Sequence, residues 1–350
     1  MCRGSPRPSR TGRWATDVRP TIALAMGDPA GVSPELTAKV VVLPEVREAM
    51  RLVVVGDRRV LDAGAKVAGV HPALERIGPR DALSPDDGHV FVDLGHLDPA
   101  SVERGVPTRQ GGAFALANYR HALERAKHGE VSAVTFTPFN KQAMRLAESS
   151  YEDEIGYTAG VLGVDGPATE FNILEGLWNA RVTSHVPMVE MPKLLTVDAI
   201  VDALKLTASA LRAAGFDPPR IAVAALNPHA GDGGNFGREE IDVIEPAVKA
   251  AQAKGIGCDG PFPADTVFVR ARRGDYDAVL TMYHDQGQIA MKLMGFDRGV
   301  TLLGGFPFPI CTPAHGTAYD IAGKGIANPG ATRAAVLLAA AMATRAQRAA

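Results

Sequence analysis

Three histidines each follow directly on a short segment that is predicted to be a β-strand. They are His185, His229 and His284, and each segment is apolar or β-branched. The carboxyl ends of parallel strands open onto one crevice, so imidazoles that are distant in sequence can converge there. Three neutral imidazoles around a divalent cation leave coordination positions open, which is typical of a catalytic metal site. A single histidine of this kind is more often structural, and it is the set of three that favours a metal centre.

Two titratable residues follow His284. Asp285 is adjacent to it, and Lys292 lies further along the chain. A lysine at this place could neutralise a carboxylate or a phosphate, or exchange a proton if it is buried. The alternative is an ordinary lysine on a solvated helix face, and the sequence weighs the two equally.

Three glycine-rich segments have the composition of ligand-binding loops. Residues 27–35 join a predicted strand to a helix that Ser33 is expected to cap, although the segment is not the G-x-G-x-x-G fingerprint. Residues 230–237 precede a helix and could present backbone N–H groups to an anion. Residues 312–329 predict a compact loop suited to adenine and ribose, with Asp320 as a candidate acceptor. A plain turn or a structural surface loop is the alternative for each segment.

Alternating strands and helices must position these residues. Predicted strands cover residues 21–26, 52–55, 133–136, 182–184, 221–226 and 278–282, and predicted helices cover residues 110–128, 197–214, 238–253 and 332–348. This alternation is typical of an α/β protein with a parallel-rich sheet. The continuous apolar strands indicate a sheet that is covered by helices on both faces.

Length and composition exclude several classes of protein. A chain of 350 residues predicts two lobes that share a cleft, and 46% hydrophobic residues suffice for sizeable cores. Lys plus Arg number 37 against 39 for Asp plus Glu, which gives no basic field for nucleic acid. The three cysteines have no C-x-x-C spacing, so neither a disulfide framework nor a zinc ribbon is expected. We expect a reducing, cytoplasmic location.

The domain boundaries follow from composition and from the element order. Residues 1–20 are rich in Arg, Pro and Ser without an apolar core, which predicts a disordered tail, with an organellar transit peptide as the alternative. Residues 334–343 form the longest apolar stretch, which is too short to span a bilayer. We assign residues 21–148 plus 296–350 to a nucleotide-binding lobe. Residues 149–295 then form the lobe for metal, substrate and dimerisation.

Taken together, these motifs resemble the 4-hydroxythreonine-4-phosphate dehydrogenase (PdxA) family of pyridoxal phosphate synthesis. The resemblance extends from about Thr21 to Met342 and rests on the segments MGDPAGVSPEL, LNPHAGDGGNFGREE, GPFPADTVF, MYHDQG and PAHGTAYDIAGKG. The last segment also looks like the adenosine-binding loop of isopropylmalate and isocitrate dehydrogenases. The resemblance implies a two-lobed α/β homodimer of that fold, with its active site in the cleft and NAD bound near residues 312–328.

The resemblance also implies roles for individual residues. His185, His229 and His284 would bind Zn²⁺, Mg²⁺ or Co²⁺ at a site completed across the dimer interface. The positions of the substrate-binding residues would be Tyr157, Thr158, Lys292, Thr301 and Ile310. The residues that bind the cofactor would be His315, Gly316, Thr317, Asp320 and Asn328.

Three of the substrate positions depart from the family pattern. Tyr157 stands where the family has His, Thr301 where it has Asn, and Ile310 where it has Arg. Loss of an arginine removes a bidentate partner for phosphate, which puts the biosynthetic substrate in doubt. The chain looks most similar to the catabolic branch that oxidises 4-phospho-D-threonate or 4-phospho-D-erythronate. The biosynthetic substrate, 4-phosphohydroxythreonine, stays open beside it, and the terephthalate dihydrodiol dehydrogenase branch, whose substrate carries no phosphate, is the alternative.

The expected reaction is oxidation of a hydroxyl group with NAD as the hydride acceptor, followed by decarboxylation of the keto acid. Lys292 and Asp285 are the candidates for proton transfer. One rival hypothesis is a metal-dependent lyase or phosphohydrolase that uses the same histidines without nicotinamide. A catalytically silent binding protein is the other.

Overall fold

The computed structural model describes residues 19–84 and 88–349. The predicted tail of residues 1–20 therefore lies almost wholly outside the described residues. Of that segment, Arg19 is exposed, while Pro20 is buried and its carbonyl accepts a hydrogen bond from the Arg51 backbone.

Twelve strands form one sheet within the described part of the chain. They are β1 (Thr21–Ala25), β2 (Arg51–Gly56), β3 (Glu75–Ile77), β4 (Val90–Asp93), β5 (Ala133–Phe136), β6 (Thr169–Leu174), β7 (Leu177–Arg181), β8 (Ile221–Ala224), β9 (Cys258–Phe262), β10 (Ala278–Thr281), β11 (Val300–Gly304) and β12 (Ile310–Pro313). The α/β fold with a largely parallel sheet is thus confirmed.

The sheet reverses direction near its middle. Its order is β3-β4-β2-β1-β5-β12-β11-β6-β7-β10-β8-β9. The pairs β12–β11, β11–β6 and β6–β7 are antiparallel, and the other pairs are parallel. The first six strands in this order, which are β3, β4, β2, β1, β5 and β12, therefore run opposite to the last four, which are β7, β10, β8 and β9. Within each group the carboxyl ends lie at one edge, and the two groups use opposite edges.

Twelve α-helices cover the sheet in the described residues. They are α1 (Ser33–Val41), α2 (Pro44–Ala49), α3 (Arg58–Ala68), α4 (Arg109–Lys127), α5 (Lys141–Ala147), α6 (Glu154–Leu162), α7 (Met191–Leu194), α8 (Val197–Ala213), α9 (Glu245–Ala253), α10 (Ala264–Arg272), α11 (His284–Gly295) and α12 (Gly330–Ala349). Among the helices that the structure describes, none is long and apolar enough to cross a membrane.

The two faces of the central strands have separate cores. On one face Phe171, Leu302 and Cys311 pack with residues of α8 and α12. On the other face Leu303 and Ile310 pack with Tyr119 and other residues of α4. The sheet is thus buried between helices on both faces, as its apolar strands predicted.

Some boundaries differ from the sequence predictions. The strand expected at residues 182–184 ends earlier, at Arg181, and the helix expected from residue 238 begins with a π-helical turn at Glu240–Ile244. Ser33 was wrongly expected to cap α1, because its hydroxyl donates instead to the Pro138 carbonyl at 2.7 Å. The strands of both predicted lobes belong to one sheet, and α6 packs on α4, so the division into lobes stays a prediction.

Candidate active site

A row of polar side chains crosses the middle of the sheet on one face. Thr312 pairs with Thr301, Thr301 with Asn172, and Asn172 with Asn179. Directly opposed residues of antiparallel strands point to the same face, so these four residues form one polar row. On this face α4 covers the β5 side and α11 packs on β6 and β7. The polar row therefore lies between α4 and α11 on this face of the sheet. Its two threonines are partly exposed.

A buried cation supports the polar row at the end of β7. Arg181 donates from Nη1 to Asn172 Oδ1 at 2.6 Å and from Nη2 to Glu170 Oε2 at 2.5 Å. Its Nε donates to Ser184 Oγ at 3.0 Å. Burial lowers the pKa of Arg181 and the Glu170 carboxylate opposes that effect, so the guanidinium stays charged at neutral pH. The arginine thus ties the polar row to the segment that leads to His185.

Helix α11 forms one wall beside the polar row. Gln288 Nε2 donates to Asn172 Oδ1 at 2.6 Å, and Asn172 Nδ2 donates to Thr301 Oγ1 at 3.3 Å. A small cavity lies here, and its lining includes Asn172, Gln288 and Lys292. The predicted substrate residue Lys292 is exposed and borders this cavity. Thr301 does not line this cavity itself, but it is hydrogen-bonded to Asn172, which does.

The structure brings two of the three predicted metal ligands together. The ring centroids of His185 and His284 are 5.6 Å apart, at the carboxyl ends of the neighbouring strands β7 and β10. His284 Nδ1 lies 2.6 Å from Asp285 Oδ1. A carboxylate on one ring nitrogen of a metal-binding histidine leaves the other nitrogen for the metal. The donor chemistry of this pair therefore fits a divalent cation.

His229 lies apart from that pair in the single chain. Its ring packs near Phe236, with centroids 6.2 Å apart. Within residues 19–84 and 88–349, no group of three or more His, Cys, Asp or Glu side chains could hold a metal ion. One chain thus provides two adjacent imidazoles, and the three-histidine site stays a prediction.

The backbone around His229 is left-handed. His229, Ala230 and Asp232 have φ values of 53°, 54° and 44°, and Gly231 and Gly233 lie in the same region. Left-handed conformations of residues other than glycine cost free energy and cluster at functional sites. Consecutive backbone N–H groups in such a segment can also form an anion-binding concavity.

Glu240 holds this left-handed segment in place. Its carboxylate accepts hydrogen bonds from the backbone N–H groups of Leu226 and Asn227 at 2.8 and 2.7 Å, and from Asn227 Nδ2 at 2.9 Å. Burial opposes ionisation of Glu240, but the hydrogen bonds from Asn227 and Leu226 outweigh it and lower the pKa. Sequence reasoning missed this residue, although its acidic side chain at the start of a helix was a visible signal.

The predicted substrate pair on α6 has no contact with the histidines. Thr158 is fully buried, and its hydroxyl donates to the Glu154 carbonyl and contacts the Tyr119 hydroxyl, each at 2.6 Å. Tyr157 is partly buried, and its hydroxyl accepts from Arg120 Nε at 3.3 Å. Thr158 is therefore engaged in the packing of α6 on α4.

The Ile310 side chain is not accessible to a ligand. Ile310 is fully buried and packs with Leu303 in the core under α4. As a predicted substrate contact it offers neither a polar atom nor exposed surface. Asp285, by contrast, has a side chain that is 72% exposed beside His284.

The predicted cofactor loop docks on the start of α1. The Thr317 carbonyl accepts from the Val32 backbone, and Glu35 Oε1 accepts from the Ala327 backbone at 2.8 Å. Asp320 is exposed, whereas Asn328 accepts from the Gly330 backbone at 2.9 Å and so begins α12. His315 Nδ1 lies 3.0 Å from the Gly316 carbonyl. The loop thus presents Asp320 outward while its ends are fixed.

A buried carboxylate joins this loop to the turn after β1. Asp28 is buried, and it accepts hydrogen bonds from the Tyr319 hydroxyl and from the Ala30 backbone at 2.9 Å. Burial raises the pKa of Asp28, and these hydrogen bonds oppose the shift. Sequence reasoning did not single out Asp28, because an Asp-Pro pair also reads as a plain turn.

A cavity lies beside the cofactor loop, and its lining includes Gly31, Glu35, Gly64, Arg104 and Gly323. A Cβ at Gly31 would lie 2.6 Å from the Thr317 carbonyl oxygen, and one at Gly64 would lie 2.3 Å from the Pro34 carbonyl oxygen. Glu35 Oε2 is buried without a hydrogen-bond partner in the described structure. Glu35 Oε1 is ion-paired with Lys39 Nζ at 2.7 Å. The two glycines therefore allow the cofactor loop to pack on the turn after β1 and α3 to pack on α1.

Relatives of known name match nearly the whole chain. A protein from Rhizobium meliloti named "Putative 4-hydroxythreonine-4-phosphate dehydrogenase 2" is 61% identical over 93% of this chain and 94% of its own length. A protein from Symbiobacterium thermophilum named "Putative D-threonate 4-phosphate dehydrogenase" is 38% identical over 89% of this chain and 93% of its own length. These sequence identities alone therefore do not support the prediction that the chain is most similar to the threonate branch of the family.

A solved structure has the same fold. The 4-hydroxythreonine-4-phosphate dehydrogenase of Klebsiella pneumoniae is 34% identical, with a TM-score of 0.78 over 93% of this chain and 99% of that one. The family pattern described as "Pyridoxal phosphate biosynthetic protein PdxA" matches residues 48–339. The chain belongs to the PdxA family.

Proposed function

We propose that this protein is an NAD-dependent, divalent-metal-dependent dehydrogenase that oxidises the hydroxyl of a small phosphorylated hydroxy acid. The names of its relatives support a substrate of the 4-phosphohydroxythreonine or 4-phosphothreonate type. The observation that carries the proposal is the juxtaposition of His185 and His284 at 5.6 Å, with Asp285 on one of the two rings. Decarboxylation of the resulting keto acid is part of the proposal.

The metal would be held by His185, His284 and His229. Bound there, a divalent cation would act as a Lewis acid and lower the pKa of the reacting hydroxyl. The carboxylate of Asp285 orients the His284 ring by its contact with Nδ1. This contact would leave Nε2 of that ring to bind the metal, and it limits the freedom of Asp285 to act as the base.

The remaining steps depend on side chains at the cavity beside α11. Lys292 borders the cavity, where its ammonium would attract a carboxylate or a phosphate. It is also the better candidate to hand a proton to the product, because Asp285 already contacts the His284 ring. Within one chain Tyr157 contacts Arg120 and Tyr119, so in this scheme it would join the site of a second copy.

Two copies would complete the site. Large apolar side chains are exposed close to the histidines: Val186, Met188 and Val189 after His185, Phe236 after His229, and Ile289 and Leu293 on α11. The exposed fractions of Val189 and Leu293 are 77% and 83%. Exposed apolar patches of this kind mark interfaces. A homodimer that buries this surface would allow His229 to approach the pair His185 and His284 of the partner.

NAD would occupy the cavity at the cofactor loop. The exposed Asp320 would accept from ribose hydroxyls, and a carboxylate at this place disfavours the 2′-phosphate of NADP. His315, Gly316, Thr317 and Asn328 would shape the pocket. When bound, NAD would accept the hydride from the substrate carbon.

A panel of substrates tests the proposed function. NADH formation is followed by absorbance with Mg²⁺, Zn²⁺ or Co²⁺ present, and NADP replaces NAD in parallel. The substrates are 4-phospho-D-threonate, 4-phospho-D-erythronate, 4-phosphohydroxy-L-threonine and a non-phosphorylated dihydrodiol acid. We expect turnover of a phosphorylated acid. Turnover of the dihydrodiol alone would replace the proposal with an aromatic-acid enzyme, and no NADH with any of the four would favour a non-redox lyase or a phosphohydrolase.

A further inference from the structure

We propose that Arg181 sets the hydrogen-bond polarity of the substrate site, so that Thr301 donates to an anionic oxygen of the substrate and Gln288 accepts from a substrate hydroxyl or amino group. Arg181 is a positioning residue in this scheme, and Gln288 and Thr301 are specificity residues. The inference rests on the proposed function and names which groups of an open-chain hydroxy acid the site recognises.

The direction of these hydrogen bonds is set by the guanidinium of Arg181, which can only donate hydrogen bonds. Arg181 Nη1 lies 2.6 Å from one end of the Asn172 amide, so that end must be the acceptor Oδ1. The orientation of an amide is normally ambiguous, but here the donor-only partner removes the ambiguity. The Asn172 amide therefore has one orientation.

The orientation of Asn172 fixes the roles of its two other partners. Gln288 meets Asn172 Oδ1 at 2.6 Å, so it must donate with Nε2, and its carbonyl Oε1 is the end that remains to accept. Asn172 Nδ2 donates to Thr301 Oγ1 at 3.3 Å, so the proton of the Thr301 hydroxyl is directed elsewhere. Gln288 and Thr301 then present one acceptor, Gln288 Oε1, and one donor, the Thr301 hydroxyl, to the substrate.

The location of this pair suits a small acid. Gln288 lines the small cavity that Lys292 also borders, and Thr301, which belongs to the partly exposed polar row, is hydrogen-bonded to Asn172 in the cavity lining. Lys292 adds positive charge on the same wall. An anionic group would bind near Thr301 and Lys292, and a neighbouring hydroxyl or amino group would bind Gln288. A flat ring without a donor at that place would lose the hydrogen bond that the hydroxy acid donates to the Gln288 carbonyl.

Arg181 does not bind the substrate itself. Its side chain is 1% exposed, and its Nη2 is paired with Glu170. Its charge therefore acts through Asn172. Replacement by methionine would free the Asn172 amide to rotate, and Thr301 could then turn its proton toward Asn172 instead of toward the substrate.

A double-mutant cycle that compares KM values tests whether Arg181 acts on the substrate through Asn172 and Thr301. We expect Thr301→Val to raise KM for the phosphorylated acid about tenfold with little change in kcat, since it removes one hydrogen bond to a charged group. Arg181→Met should also raise KM in the wild-type background, by a smaller factor, but not in the Thr301→Val background. Arg125→Met, which removes another buried arginine paired with a glutamate, is the matched control and should leave KM unchanged.

The second arm tests Gln288 with two substrates. Gln288→Leu should weaken discrimination between a phosphorylated hydroxy acid and its analogue that lacks the second hydroxyl. Additive effects of Arg181→Met and Thr301→Val, or unchanged discrimination in Gln288→Leu with an active wild type, would overturn this inference alone. A wild-type enzyme that forms no NADH from any phosphorylated acid would instead overturn the proposed function, and this inference with it.

Discussion

The hydroxyl of Tyr319, in the predicted cofactor loop, donates a hydrogen bond to the buried carboxylate of Asp28, in the turn after β1. This contact joins two segments that are nearly the full length of the chain apart. The backbone contact between Val32 and Thr317 joins the same two segments. The loop is therefore held against the first βα turn by a side-chain and a backbone contact.

Replacement of Tyr319 by Phe should destabilise the protein by about 1.5–3 kcal/mol at a pH above the folded-state pKa of Asp28, the usual value for a hydrogen bond to a charged group. Burial raises the folded-state pKa of Asp28 above 3.8, so ionised Asp28 opposes folding once the pH exceeds the folded pKa. Loss of the tyrosine donor increases that penalty. The effect, measured by urea unfolding, should shrink as the pH falls through the pKa of Asp28. In an Asp28→Asn background it should be much smaller, and an equal loss there would contradict the account.

Replacement of Glu240 by Gln should destabilise the segment that carries His229, by about 1–3 kcal/mol at neutral pH. The folded-state pKa of Glu240 lies below 4.5, so its contribution is present above that pH and is lost as the pH falls through the folded pKa. The variant should therefore lose less stability than the wild type on acidification. Glu245→Gln, at a half-exposed glutamate of α9, is the control and should unfold like the wild type. If Glu240→Gln and the wild type lost the same free energy of unfolding on acidification, the Glu240 carboxylate would not stabilise this segment.

Replacement of Asp285 by Ala should weaken metal binding about 10- to 100-fold, because the orienting partner of the His284 ring is lost. Titration calorimetry with Zn²⁺ or Co²⁺ measures the change. Asp297→Ala, at an exposed acidic residue beyond α11, serves as the control. Unaltered affinity in Asp285→Ala would show that the carboxylate does not support a metal ligand.

Replacement of Gly31 by Ala should raise KM for NAD at least several-fold and leave KM for the acid nearly unchanged. The added methyl group would lie 2.6 Å from the Thr317 carbonyl oxygen, so the cofactor loop must shift. Gly166→Ala introduces a methyl group with no neighbouring atom within 4 Å and is the matched control. Steady-state kinetics with NAD and with the acid varied separately would detect the difference. Equal increases in both KM values would argue against a cofactor role for this loop.

The strands that could be predicted from the sequence are strands whose side chains are apolar on both faces of the sheet. β1, β2, β5, β8 and β10 are continuous apolar runs, which is why their patterns were visible. Six strands were not predicted, namely β3, β4, β6, β9, β11 and β12, and the strand before His185 was placed too late. β4 is largely apolar and buried and was nevertheless not predicted. Of these strands, β6, β11, β12 and β7 carry Asn172, Thr301, Thr312 and Arg181, whose polar side chains interrupt the apolar pattern. The strands that form the floor of the site are thus the least recognisable from hydrophobicity.

The histidines were predicted from their positions after strands, since parallel neighbours such as β7 and β10 place such residues at one edge. The polar network around Arg181 was not predicted, because it depends on antiparallel register between β6, β7 and β11. The alternation of Glu170 and Asn172 with apolar residues in β6 was the available signal.

The most direct test of the account is NADH formation by the wild type and by His185→Ala, each stripped of metal with a chelator and then supplied with Zn²⁺, Mg²⁺ or Co²⁺. We predict that the stripped wild type is inactive with a phosphorylated hydroxy acid and recovers on addition of metal, and that His185→Ala recovers little or no activity. Full activity of metal-stripped His185→Ala would contradict the central claim that these histidines hold a catalytic metal.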